Sequence, residues 1–414
     1  MDATEAPTGV RWGVAATGSG SLGVAPRSDW ARWIERGELP PSGDGSGFGV
    51  DFASDLELFA ESGITRLRWT IDWARLEPVQ GRPDADAWDL TREILRAARR
   101  VGIEVWAVLM DGPLPGWFAD DQRGWRDRDG VVRTWPRHVD RIAEEFGDLI
   151  GAWIPVLDPH TWATNGFARG TRPPGIVDEE EFLTALRNVH LASNEARRLL
   201  TSGDAPVVCC IDHSPAHVGV RSREPDERDA ARALVDRHER LQLGVWVRAL
   251  NDGVLSIPDL GEVEIDGLAG GYDTIGLTWR GARTLFADGT RGPYPADATR
   301  AADGRAPWTE GLGVAVRRLA DAFPRRTLAL LGTGLVAAED DWRSEVIDRS
   351  VAELDAATVD GVRIDAAFWE SGIDGWTPAC GLAVPDGVFD RSRHPRPSAA
   401  ALRRGAGARE LRHG

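Results

Sequence analysis

Eight short apolar runs recur along the chain, at 11–15, 64–71, 103–109, 152–157, 206–211, 273–278, 327–331 and 362–368. Each has the length and composition of a buried strand, and the stretches between them carry apolar residues at helical spacing. Leu90, Ile94, Ala97, Ala98 and Val101 form one such stripe, stopped by Gly102; Val139, Ile142, Ala143 and Phe146 form another. Helices are also expected over 55–61, 179–200 and 224–250. No Pro/Gly-rich linker divides the series. Strand and helix alternating in this way specify βαβ units and a parallel sheet. The expected fold is therefore α/β, a single (β/α)8 TIM barrel over 11–414, after an N-terminal tail over 1–10.

Composition narrows the functional classes. The 414 residues are 42% hydrophobic and 28% charged, which describes a soluble globular chain. No apolar run approaches the ~20 residues that span a bilayer. The acidic start, MDATEAPTGV, lacks the basic and apolar segments of a secretory signal, so a cytoplasmic location is expected. A net charge of −16 argues against nucleic acid or anionic membrane as partner. There is no lysine, so all 49 basic residues are arginine. Cys209, Cys210 and Cys380 offer neither a disulfide framework nor a metal spacing, and buried reduced thiols are expected. The 18 tryptophans suit sugar stacking and barrel packing equally well. Oligomeric state is not encoded in any feature of the sequence.

A parallel barrel keeps its chemistry at the C-terminal ends of its strands. The run 152–157 ends in Asp158-Pro159, 362–368 ends in Trp369-Glu370, and 103–109 leads to Asp111-Gly112-Pro113. Asp158 is a candidate acid/base, with Glu370 and Asp111 as candidate second carboxylates. Each has a plainer role open to it: helix cap for Asp158, turn residue for Asp111. Arg68 serves either as a ligand grip or as a tie across the barrel rim. His160, Asp212 and His213 fall at strand ends too, but no H-E-x-x-H type spacing supports a metal. No metal or other cofactor is expected.

The segment from Gly151 to Gly175 resembles the acid/base segment of glycoside hydrolase family 1, the β-glucosidase family, through Trp153, Ile154, Pro159, Gly170, Pro173, Pro174 and Gly175. The second strand resembles the family's R-F-S-I-E-W-S-R-I-E-P through Arg68, Ile71, Trp73, Arg75, Glu77 and Pro78. Further matches run to the closing helix at 394–404, with a shortened stretch between the fifth and sixth strands. The resemblance implies a barrel that acts on glycosides with two glutamates. Here the acid/base position is Asp158, and the nucleophile position of the T-E-N-G motif is Gly332. The positions implied to grip sugar or nucleophile are Gly20, Asp111, Leu157, Thr278 and Arg280. Arg68, Trp117, Arg280 and Trp369 are the implied substrate contacts.

Retaining hydrolysis needs one carboxyl to protonate the leaving oxygen and another to attack the anomeric carbon, ~5 to 5.5 Å apart. Gly332 has no side chain to attack with. The expectation is a family-like pocket binding a small glycoside or related polar or anionic ligand without that reaction. The alternative is a rebuilt carbohydrate enzyme, such as an inverting hydrolase using Asp158 with Asp111 or Glu370. A misaligned ordinary β-glycosidase is the third reading, and no T-E-N-G or N-E-P occurs in the chain. With the nucleophile absent, Arg68 and Arg280 raise the local charge. Either Glu370 or Asp158 compensates, or an anionic ligand does; the open rim favours the ligand.

Overall fold

The computed structural model describes residues 10–221 and 225–407. Its centre is an eight-stranded parallel sheet of β1 (Arg11–Ala16), β2 (Arg66–Thr70), β3 (Glu104–Val108), β4 (Ala152–Ile154), β5 (Val208–His213), β6 (Thr274–Trp279), β7 (Thr327–Gly334) and β8 (Ile364–Glu370). Hydrogen bonding runs β4-β3-β2-β1-β8-β7-β6-β5. A parallel bridge between Trp153 and Val207 joins the two ends, with Trp153 N donating to Pro206 O at 2.9 Å. The eight-stranded barrel read from the sequence is what forms.

One helix after each strand packs outside: α1 (Phe48–Glu61), α2 (Ala85–Arg100), α3 (Trp135–Phe146), α4 (Glu179–Leu200), α5 (Val245–Asp252), α6 (Thr309–Ala322), α7 (Asp340–Val359) and α8 (Pro397–Gly407). Local chemistry sets their ends. Asp84 caps α2 by accepting from Ala87 N at 3.0 Å, and Asp178 caps α4 by accepting from Glu181 N at 2.9 Å. In α4, Glu179 to Glu181 fill the first turn and Arg197 and Arg198 the last, matching the helix dipole.

Several boundaries differ from the sequence expectation. The helix expected from 55 starts at Phe48, directly after Gly47 in the left-handed region (φ 83°). The strand expected over 152–157 stops at Ile154, because Pro155 has no N–H to continue the ladder. The segment expected as one helix over 224–250 is divided: helix over Pro225–Glu239, a wider turn over Arg240–Gly244, then α5; Glu224 lies outside the described residues. Val10, assigned to the tail, is buried in the core, and residues 1–9 lie outside the described residues.

The two-residue period of the strands divides the interior. Leu67, Trp69, Val105, Ala107, Ile275, Leu277, Ala367 and Trp369 face the helices. Ala15, Trp106, Val108, Ala152, Ile154, Cys210, Ala329, Leu331, Ala366 and Phe368 fill the lumen, with the Trp106 and Phe368 rings 5.3 Å apart. The lumen is a packed core, so polar chemistry is confined to its ends. Among the described residues, no helix is long and apolar enough to cross a membrane.

Candidate functional site

Arg66 and Arg68 share the inner face of β2. Arg66 serves the N-terminal end, 3.3 Å from Glu104 and 3.1 Å from Asp365. Arg68, two residues nearer the C-terminal rim, donates from Nη1 to Leu331 O at 2.6 Å and from Nη2 to Glu370 Oε1 at 2.8 Å. Ala15 on β1 is in register with both Arg68 and Glu370. Its methyl side chain leaves the two long side chains free to meet in front of it.

Gly332 stands opposite Thr278 on β6. A Cβ at Gly332 would lie 2.4 Å from Glu370 Oε1 and 2.8 Å from Arg68 Nη1. The Glu370 carboxylate, sent in from the neighbouring strand, thus fills the space that a side chain at 332 would enter. Arg280 closes the group. Its Nη1 makes a very short bond to Glu370 Oε2, and its Nη2 donates to Glu370 Oε1 at 2.9 Å and to Asp158 Oδ2 at 3.0 Å. Asp158 Oδ1 also accepts a very short bond from Thr278 Oγ1.

The expectation that an anionic ligand, rather than Glu370 or Asp158, compensates Arg68 and Arg280 is therefore corrected. Two arginines and two carboxylates form one neutral network, because closure of the barrel brings Glu370 within reach of both guanidinium groups and Asp158 within reach of Arg280. Burial alone would raise the Glu370 carboxyl, but Arg280 and then Arg68 outweigh it and hold it well below the usual carboxylate range. Asp111 sits beside this network and accepts from Thr70 Oγ1 at 3.2 Å. Burial lifts its pKa to about 6, opposed by Arg68 and assisted by the charges of Asp158 and Glu370.

Arg68, Asp111, Arg280 and Glu370 line a cavity of ≈ 630 Å³ at the C-terminal rim. The two expected tryptophan contacts do not. Trp369 is fully buried and faces the helix layer, as it must when its neighbour Glu370 faces in. Trp117 packs edge-on against Trp73, with ring centroids 5.7 Å apart, and donates from Nε1 to Glu77 O at 2.8 Å. Its ring is occupied with joining two loops.

Asp212 has a structural partner set, accepting from His160 N at 3.2 Å and Thr161 N at 2.5 Å. It thereby holds the turn that places Asp158, whose backbone is left-handed (φ 49°). Among the described residues, no group of three or more His, Cys, Asp or Glu is arranged to hold a metal ion.

The outer part of the cavity was not foreseen. Arg169 and Arg172 reach it from the loop after β4, and Arg283 and Arg291 from a hairpin after β6, Ala282–Leu285 with Arg291–Tyr294. The signals in the sequence were arginines repeated in two βα loops and, within the second, the Asp288-Gly289 turn between Arg283 and Arg291.

The chain is similar to β-glucosidases and their relatives. It is 23% identical to the rice "Beta-glucosidase-like SFR2, chloroplastic" over 369 residues, 85% of this chain and 54% of that protein. It is 30% identical to rice "Beta-glucosidase 6" over 125 residues, 30% of this chain and 24% of that protein. The matches thus span about half or less of these curated relatives. The structure superposes on a Pyrococcus horikoshii β-glycosidase with a TM-score of 0.84 at 19% identity, covering 98% of this chain and 97% of that one. A Thermotoga maritima β-glucosidase in complex with glucoimidazole gives 0.83 at 18% identity, covering 97% of this chain and 99% of that one. At such identities the structural likenesses establish the barrel fold. The model for glycosyl hydrolase family 1 matches residues 43–255, just over half of the sequence, and the chain belongs to that family.

Proposed function

We propose that this family member binds a glycoside or related polar ligand in the rim cavity and does not perform retaining β-glycoside hydrolysis. The observation that carries the reading is the replacement at Gly332. The carboxylate that reaches into that position, Glu370, is held by Arg68 and by two nitrogens of Arg280. A carboxylate so engaged is a poor nucleophile, and it approaches the sugar site from a different strand. The cavity itself persists, and a structural neighbour holds the sugar-like inhibitor glucoimidazole.

The alternative of inverting hydrolysis by Asp158 and Glu370 fits less well. Both accept from Arg280 Nη2, at 3.0 and 2.9 Å, which caps the separation of those oxygens at about 6 Å, below the ~6.5 to 9.5 Å of an inverting pair. The guanidinium also occupies the space a water would need. Burial lifts two further carboxyls of the cavity toward neutral pH, Asp111 to about 6 and Asp386 to about 7, where each can exchange a proton.

The test is purified protein with an activated aryl β-glucoside. We expect no burst of aglycone, no covalently glycosylated protein by mass spectrometry and no anomeric product by NMR. Calorimetry with glucoimidazole should still report binding. A burst with a covalent adduct would overturn the reading, and an inverted product would establish the alternative.

A further inference from the structure

The floor of the cavity is charge-balanced, but its outer wall is not. Arg169, Arg172, Arg283 and Arg291 all line it, and among the described residues none of the four forms an ion pair. Arg172 Nη1 donates to Thr171 O at 2.6 Å and Arg283 Nη2 to Ser214 Oγ at 2.8 Å. Arg169 and Arg291 make no side-chain hydrogen bond among the described residues. The hairpin register pairs Leu285 with Arg291, which puts Arg283 and Arg291 diagonally adjacent on one face.

The neighbouring acids are already engaged. Asp303 is paired with Arg305, and Asp212 accepts the His160 and Thr161 amides. The cations feel one another. Burial and then Arg169 push the Arg283 guanidinium down to about 10, with Asp212 opposing, and burial, Arg283 and Arg169 lower Arg291 likewise. Burial and Arg169 also lower Arg172.

We propose that Arg169, Arg172, Arg283 and Arg291 form an anion subsite that takes a phosphoryl group carried at the outer end of the ligand. Planar guanidinium forks match tetrahedral oxyanions in pairs. A dianion answers the local excess of positive charge better than a single carboxylate does. The inference rests on the reading of the cavity as a ligand pocket, yet it uses none of the residues at the floor.

The test uses the whole protein and inorganic phosphate in calorimetry at low ionic strength, with sulfate and acetate as comparison anions. Wild type should bind phosphate saturably, with acetate weaker by ~10-fold or more. Arg283→Gln/Arg291→Gln should weaken phosphate by ~10-fold or more, and Arg349→Gln on the outer surface should leave it unchanged. In phosphate-free buffer the double variant should melt at the same temperature as wild type or higher, since it relieves cation repulsion. No saturable phosphate binding by wild type, equal binding by the double variant, or a lower melting temperature of that variant would each overturn the subsite. The aryl glucoside assay reads the floor alone, so the two readings fail separately.

Discussion

At residue scale, one missing side chain reorganises four others. Glycine at 332 is needed for space, since a Cβ there would meet Glu370 Oε1 at 2.4 Å and Arg68 Nη1 at 2.8 Å. We expect Gly332→Ala to destabilise by ~1–3 kcal/mol in urea unfolding, the range for overpacking a filled site. Removing the obstructing carboxylate is worse: Glu370→Ala leaves Arg68 and Arg280 without their shared partner and should cost ~3–5 kcal/mol. Because the two residues contend for one space, the double variant should be less unstable than the sum of the single changes. Strict additivity would show that Glu370 does not fill the 332 site. Gly332→Glu alone should not restore aryl glucosidase activity, because the introduced carboxylate would compete with Glu370 for the same arginines.

At element scale, the loops after β1 and β3 are latched by Asp29. Its Oδ1 accepts from Trp30 N and Leu114 N, both at 2.9 Å, and its own N–H donates to Leu114 O at 3.0 Å. Burial raises its pKa to about 8, with the Leu114 hydrogen bond opposing. Between ~4 and ~8 the folded protein therefore holds a proton that the unfolded chain releases. The Asp29 contribution is full below the unfolded value and is lost as pH rises through 8. Asp29→Asn keeps the acceptor oxygen and carries no charge. Its melting temperature relative to wild type should rise from pH 5 to pH 9, and an offset constant with pH would refute the assignment.

Strand parity also decides which rim residues were legible. The alternation that sends Arg68, Thr278 and Glu370 inward was available in the sequence, and it places Trp369 outward. Arg280, just past β6, continues the inward series of Gly276 and Thr278. The hairpin after β6 was missed although Asp288-Gly289 announces it, because an irregular arginine-rich loop has no periodicity to stand out by.

At the scale of the whole molecule, the barrel has one weak seam. Neighbours elsewhere share ladders, such as the six-position register of β5 with β6, whereas β4 and β5 meet at the Trp153–Val207 bridge. Local opening should concentrate there. Hydrogen exchange read by mass spectrometry should show peptides over 152–157 losing protection before those over 327–334 and 364–370. Uniform protection around the barrel would contradict this.

The order of strands and helices, the parallel barrel and the lack of a side chain at Gly332 were determined by the sequence alone. Apolar period, caps and a missing side chain are local properties, unaltered by what the chain later packs against. The partners of the arginines were decided by tertiary structure. Arg68 and Glu370 are 302 residues apart in the chain, and Arg280 and Asp158 are 122 apart. Only closure of the barrel brings them to one rim, where burial makes an unpaired charge costly and so selects the internal network at the floor. The same closure gathers Arg169, Arg172, Arg283 and Arg291 from two separate loops onto one wall, where none has a carboxylate partner among the described residues. The sequence shows arginines repeated within each loop but not that the two loops converge, because convergence depends on distances through space between segments whose separation along the chain is unconstrained.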